Sequence, residues 1–372
     1  MRMRVFVALL FVLAAGCGSA PREVAAPTPA AQPTRLILFI GDGVGVSYWT
    51  AARFASDRLA VEAFPVIGLV DTRSASHKVT DSAAGATVYA TGVRTYNGAI
   101  GMGPDTLPRR TVLEVAEERG LSTGLVATST VTHATPGSFA AHVQHRRMEP
   151  EIARQMARQS IEVILGGGRQ FFDGSANGAS NLLPELKRRY AYIESAEQLR
   201  SLRTDTIEAL LGLFAPEGMD RAIDGRTPTL AEMTRVALEI LDRNPAGFFL
   251  MVEASQPDWR GHANEPLETV VAEMLDYDRA IAVALEYQER HPETLIVIVA
   301  DHETGGLAIE GGPDGELVAR YTTDYHTAQM IPLFAKGPGA EHFGGLIRND
   351  RVGQLLFEVI RGALPRQAAT SP

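Results

Sequence analysis

Cysteine is almost missing from this sequence. Its 372 residues hold a single one, which excludes an internal disulfide framework and any cysteine-rich metal centre. No long basic run occurs either, and acidic residues outnumber basic ones by 44 to 35. That balance argues against nucleic acid as the main partner. Long apolar stretches are missing as well, so the chain is not a polytopic membrane protein. At 45% hydrophobic residues it is not a disordered one. The length suits one large domain or two small ones, with a core that needs no covalent staple.

The chain opens with a short leader. Arg2 and Arg4 give it a charged start, and Val5 to Leu13 form an apolar run too short to span a bilayer. The run ends in Leu13-Ala14-Ala15-Gly16-Cys17, which resembles a bacterial lipobox. That resemblance implies a lipoprotein-type signal peptide over 1–16, cleavage before Cys17 and a lipid on its sulfur. Residues 17–34, rich in Ala and Pro, read as an extended tether. The expected localisation is the periplasm or cell surface, with the membrane reached only through Cys17 and its acyl chains. The catalytic region is expected over 35–364, with a tail at 365–372.

From Arg35 onward strand and helix signals alternate. Leu36–Ile40, Gly124–Ala127, Ile161–Leu165, Phe248–Val252 and Thr294–Ala300 read as buried strands. Leu230–Leu241 reads as an amphipathic helix with a Thr229/Glu232 capping box and a stop at Asn244-Pro245. Leu267–Tyr287 reads as another. Residues 173–228 are weakly patterned and suggest a peripheral subregion. The order predicts a three-layer α/β/α fold with a large, mostly parallel central sheet and a site at the carboxyl ends of its strands.

Charged residues gather at those ends. Leu36–Ile40 runs into Asp42, Phe248–Val252 into Glu253, Asp258 and His262, and Thr294–Ala300 into Asp301 and His302. One acid after a strand is usually a cap or turn former. Several that converge repel one another unless cations lie between them. Imidazole with carboxylate suits zinc, and oxygen-only ligation suits magnesium. Asp258 and His262 are one helical turn apart. His326 lies in a loop segment. His77, His291 and His342 have no such setting and take no role.

A nucleophile candidate follows from Thr80 to Thr87. This stretch begins with cap residues and continues as a small-residue helix, placing Ser82 at an N-terminus that favours an anion. On its own, capping by Ser82 or Asp81 is the more ordinary explanation of the pattern. Gly120-Leu121-Ser122-Thr123-Gly124 matches a nucleophile elbow in letters, but it joins helix to strand, so it reads as a helix C-cap and turn. Gly41-Asp42-Gly43-Val44-Gly45 is neither a dinucleotide fingerprint nor a Walker loop.

The segment DSAAGATVYATGVRTYNGAIG at 81–101 resembles the nucleophile region of the alkaline phosphatase family. The likeness continues in LILFIGDGVG at 36–45, THATPGSFAAHV at 132–143, FFLMVEASQPDWRGHANEP at 248–266, VADHETGG at 299–306 and HTAQMIPLFAKGPGA at 326–340. The six motifs stand in family order, and the likeness they mark runs through most of residues 36–340.

The resemblance implies a metal-dependent hydrolase of phosphate monoesters, acting at alkaline pH through a phosphoserine on Ser82. It implies two zinc ions and one magnesium. Asp258, His262 and His326 resemble the ligands of one zinc, and Asp42, Asp301 and His302 those of the second. Asp42, Thr135 and Glu253 resemble the magnesium ligands. Arg146, thirteen residues after His133, matches the phosphate-binding arginine, with Arg147 as the neighbouring alternative.

His133 and Trp259, near the third metal or the phosphate, stand where some members carry Asp and Lys. They mark a His/Trp variant in which the third ion is less well matched to magnesium. The implied contacts to the leaving alcohol are few, so a broad substrate range is expected. A phosphodiesterase or sulfatase on the same scaffold, and a non-catalytic binder of metal or phosphate, are the competing readings. A homodimer is one assembly open to the chain.

Overall fold

A computed structural model of the chain describes residues 34–364. The leader at 1–16, Cys17, the tether up to residue 33 and the tail at 365–372 lie outside the described residues. Eight strands come first: β1 Arg35–Gly41, β2 Val66–Asp71, β3 Ser122–Thr130, β4 Val163–Gly167, β5 Ala191–Ile193, β6 Leu210–Leu213, β7 Phe248–Ala254 and β8 Thr294–Ala300. Then come β9 Glu303–Thr304, β10 Ala308–Gly311, β11 Leu317–Arg320, β12 His326–Thr327, β13 Ile331–Lys336 and β14 Gly345–Arg348.

Ten of them form one sheet in the order β14-β2-β13-β8-β1-β7-β3-β4-β6-β5. All neighbours pair in parallel except β13, which runs antiparallel to β2 and β8. Every residue of β7 and β8 is buried. Strands covered on both faces read as unbroken apolar runs, which is why these segments are plain in the sequence. One layer groups the helices Val46–Phe54, Leu230–Leu241 and Leu267–Arg290. A second groups Ser82–Thr91, Val112–Glu118, Ala134–Ala140 and Asn349–Ile360. The architecture is the three-layer α/β/α sandwich expected.

Boundaries moved where side chains carry little signal. The strand expected at Ile161–Leu165 is Val163–Gly167, because its last two residues are glycines. The strand expected at Gly124–Ala127 extends over Ser122–Thr130, with buried hydroxyl residues at both ends. Leu230–Leu241 is helical as expected, and its Thr229/Glu232 capping box is formed. Residues 173–228 are not peripheral throughout, since β6 and β5 complete one edge of the sheet.

The Gly120–Gly124 segment is the helix-ending turn expected. Leu121 N–H donates to Ala116 O and Gly120 N–H to Glu117 O, a Schellman pattern.

Parallel register sets the site. Gly41 lies beside Ala254 on one side and Ala300 on the other. Asp42, Ser255 and Asp301 therefore leave the sheet at one level, and Glu253 stands beside Ala127.

Away from that edge, Glu117 lies half-buried near Glu162. Burial and that second carboxylate push its pKa from 4.5 up to about 7. A folded-state value above the unfolded one means the folded chain holds the proton more tightly, so stability from this group falls as pH rises through that window. Glu117→Gln is expected to raise the thermal midpoint at about pH 8.5 and leave it unchanged near pH ~4, as read by calorimetry.

Candidate active site

All twelve residues singled out above meet at the carboxyl end of the sheet. Asp42, Glu253 and Asp301 come from the ends of β1, β7 and β8. Asp258, Trp259 and His262 belong to the helix Gln256–His262, which follows β7. His326 begins β12, whose pairing with β9 brings it beside Thr304. Ser82 opens the helix Ser82–Thr91, and Asp81 caps that helix by accepting from Ala84 N–H at 3.0 Å. Asp81 is thus the cap, and the Ser82 hydroxyl is free of that role.

The Ser82 hydroxyl is 3.1 Å from His302 Nε2 and 3.4 Å from Asp42 Oδ1. His302 Nε2 is also 3.4 Å from Asp42 Oδ1 and 3.3 Å from Asp301 Oδ2. A second focus lies beside it. His262 Nε2 is 3.0 Å from His326 Nε2 and 3.4 Å from Asp258 Oδ1, and His326 Nε2 is 3.6 Å from the same oxygen. His302 reaches this group too, since Asp258, His302 and His326 offer donor atoms within 4.8 Å of one another. A third focus joins Asp42, His133 and Glu253, with the Thr135 hydroxyl beside Glu253.

Tautomers decide what these groups can bind. His262 Nδ1 is 2.7 Å from Asp324 O, and His326 Nδ1 is 2.9 Å from Thr80 O. A carbonyl only accepts, so in the neutral rings both hydrogens sit on Nδ1. Two Nε2 lone pairs then face each other at 3.0 Å. Lone pairs so placed need a cation, and backbone carbonyls holding the far nitrogen are the usual support for a metal-binding histidine.

Around them Asp42 Oδ2, Asp301 Oδ2, Glu253 Oε1, Thr135 Oγ1 and His133 Nδ1 are buried with no hydrogen-bond partner. Buried oxygens are rarely left so. The donor set therefore fits divalent cations, with imidazole and carboxylate at two foci and mainly oxygen at the third.

Electrostatics agrees. Burial first, then the Asp301, Asp258 and Glu253 carboxylates, pushes the Asp42 pKa well up. Burial raises Glu253 to about 7 and also raises Asp301. Burial, helped by the neighbouring His326, holds His302 well below its ordinary value. Burial and the Arg146 cation bring His133 down to about 3. Protein alone cannot keep these carboxylates charged together; cations can.

Arg146, not Arg147, faces the site. Arg146 N–H donates to Gly98 O at 2.8 Å, its Nη2 reaches His133 Nε2 at 3.0 Å and its Nη1 lies 3.5 Å from Asp81 Oδ2. Arg147 is exposed.

Two supports escaped the sequence reading. Thr304 Oγ1 donates to Asp258 Oδ1 at 2.5 Å and lies 3.2 Å from His302 Nδ1. Its place inside the VADHETGG motif was the available signal. Gly218 had none. It backs the Trp259 indole so closely that a Cβ there would fall 2.5 Å from Cη2 of the ring. The same indole meets the His133 ring edge-on, with 6.2 Å between ring centroids.

The Gly218 loop is held by Gln256 Nε2 on Met219 O at 2.6 Å and by the buried Arg226, paired with Glu273 and Asp276. Gly218→Val is expected to dislodge the indole, costing about 1–3 kcal/mol of stability. In a Trp49→Phe background Trp259 is the sole indole, so its emission maximum should shift.

Comparison with known proteins accords with this geometry. The family model described as alkaline phosphatase matches residues 34–321. Alkaline phosphatase 4 of Bacillus subtilis (strain 168) is 31% identical over 89% of this chain and 89% of its own. Streptomycin-6-phosphate phosphatase of Streptomyces griseus is 34% identical, covering 96% and 95% of the two chains. The structure of alkaline phosphatase from the Antarctic bacterium TAB5 superposes with a TM-score of 0.82 at 34% identity, covering 89% of this chain and 99% of that one. The chain belongs to the alkaline phosphatase family, and it is a metal-dependent hydrolase of phosphate monoesters.

Proposed function

We propose that Ser82 is the nucleophile of this hydrolase and that Arg146 holds the phosphoryl group it receives. The observation that carries the reading is the buried Ser82 hydroxyl, 3.1 Å from His302 Nε2 amid donor atoms that point inward without partners. Asp258, His262 and His326 would hold one zinc, Asp42, Asp301 and His302 a second, and Asp42, Thr135 and Glu253 a magnesium, with His133 and Trp259 alongside. A histidine-to-aspartate variant of the TAB5 enzyme carries magnesium in its M3 site, which supports a third ion here. When bound, such cations offset the charge of the phosphate dianion, lower the pKa of the serine hydroxyl and stabilise the departing oxygen.

The chain's own residues do the rest. Ser82 Oγ attacks phosphorus in line, and the ester bond to the alcohol breaks, leaving phosphoserine. Water then attacks the same phosphorus and frees Ser82. The N-terminus of the helix Ser82–Thr91 favours negative charge at that oxygen. The planar fork of Arg146 can take two non-bridging oxygens, and Asp81 keeps it aimed. Deprotonation of Ser82 and of the incoming water favours an alkaline optimum, and recognition centred on the phosphoryl group favours a broad range of esters. Ser82→Ala is expected to lower turnover of an aryl phosphate by at least about 10³-fold. Zinc and magnesium content, read by elemental analysis, should stay near normal. Near-normal turnover with a trapped phosphoenzyme would overturn the reading.

We further assign residues 1–16 to an export signal, Cys17 to a lipid anchor, 17–34 to the tether, 35–364 to the catalytic domain and 365–372 to a tail. Among the described residues no helix is long and apolar enough to cross a membrane, so membrane contact would run through Cys17. A homodimer is compatible with this arrangement. Labelled fatty acid should be incorporated into the unmodified protein and be lost in Cys17→Ser.

A further inference from the structure

Exposure changes steeply across the site. Ser82 and His302 are buried, at 1% and 0%. His326 is nearly so at 7%, whereas the His262 side chain is 34% exposed. Tyr325, next to His326, is 50% exposed. Its ring continues a column of rings out of the core. His302 and His326 stack at 3.5 Å between centroids, and Tyr325 stacks on His326 at 4.5 Å with only 10° between planes. The His262 ring stands 5.9 Å from Tyr325, tilted by 56°, so the two rings form an open angle at the mouth.

The column's outer end is fixed by backbone. Tyr325 O accepts from Gly305 N–H at 2.9 Å, and Tyr325 N–H donates to Thr323 Oγ1 at 3.2 Å. A large aromatic ring held half in water at a site mouth, with no hydrogen bond from its hydroxyl recorded among the described residues, is an unspent apolar surface.

An ester attacked by Ser82 must place its alcohol on the side away from that hydroxyl, and the solvent-facing side is the one bounded by His262 and Tyr325. We propose that Tyr325 is a specificity-determining residue: with the His262 ring it forms a subsite for the leaving group, favouring monoesters of planar, aromatic alcohols over those of aliphatic ones. The inference rests on Ser82 as nucleophile. The recognition is by ring stacking, so it does not depend on the phenol hydroxyl.

The test uses the metal-loaded full chain and follows the ratio of kcat/KM for phenyl phosphate to that for glycerol 2-phosphate. Tyr325→Leu, which keeps an apolar cover on His326, is expected to lower this ratio about two- to tenfold, the span of one aromatic pair. Tyr325→Phe should leave it unchanged. Inhibition by phenylphosphonate should weaken in Tyr325→Leu by a similar factor while inhibition by methylphosphonate holds, which reads binding apart from bond breaking. An unchanged ratio would overturn the proposal. So would an equal fall for both esters, because Tyr325 would then be only a prop for His326. Full activity in Ser82→Ala would instead remove the underlying reading, and this one with it.

Discussion

Repulsion among Asp42, Glu253, Asp258 and Asp301, each buried at the end of a strand or just beyond one, is the constraint on which the architecture rests. Four carboxylates brought this close in a dry interior cannot all stay ionised on their own. The imidazoles of His262 and His326 sharpen the problem, because carbonyls on their far sides turn both free lone pairs inward. A sheet with every central residue buried, backed by helices on each face, holds these groups where they would not otherwise stay. The folding free energy of that core is what opposes the repulsion until cations bind. Metal binding and stability are therefore linked, as for any ligand that prefers the folded chain.

Much of this was legible in the chain, for reasons that differ by element. Thr294–Ala300 and Phe248–Val252 stand out because both faces of each strand are covered and no polar residue interrupts them. Leu230–Leu241 was readable to the residue because cap and stop signals both flank it. β5 and β6 were not, since a three-residue strand and a four-residue strand containing Gly212 are too short for any period to show. Within the site, acids at strand ends were visible because parallel register converts sequence position into height along the sheet. The preference for Arg146 over Arg147 came from the family spacing after His133, and the residues alone offered no reason for it, since it depends on which neighbour bonds to Gly98 O. Nor was Gly218, which meets Trp259 across 41 residues and leaves no pattern behind.

The site is also asymmetric in its access to water. The Ser82 side is enclosed by β1, β8 and the helix Ser82–Thr91, where charge interactions are least screened. The opposite side opens past His262 and Tyr325. A dry half around Ser82 and a wet half around His262 and Tyr325 let one scaffold combine strong electrostatics with an open mouth. Such separation follows from where the strands end, and no single residue creates it.

The helix that carries Ser82 has one further property. All ten of its residues are buried, and a helix this short is marginal in isolation. Neighbours supply its order, and one of them is the last helix described. Gln354 Nε2 donates to Gly92 O at the end of the Ser82 helix, and Asn349 Oδ1 accepts from Arg94 Nε at 2.7 Å just beyond it. A residue made early in synthesis thus waits for the much later segment that carries Asn349 and Gln354. A ribosome-bound chain would carry the serine without a seat for it, and so stay inert until that later segment has been made.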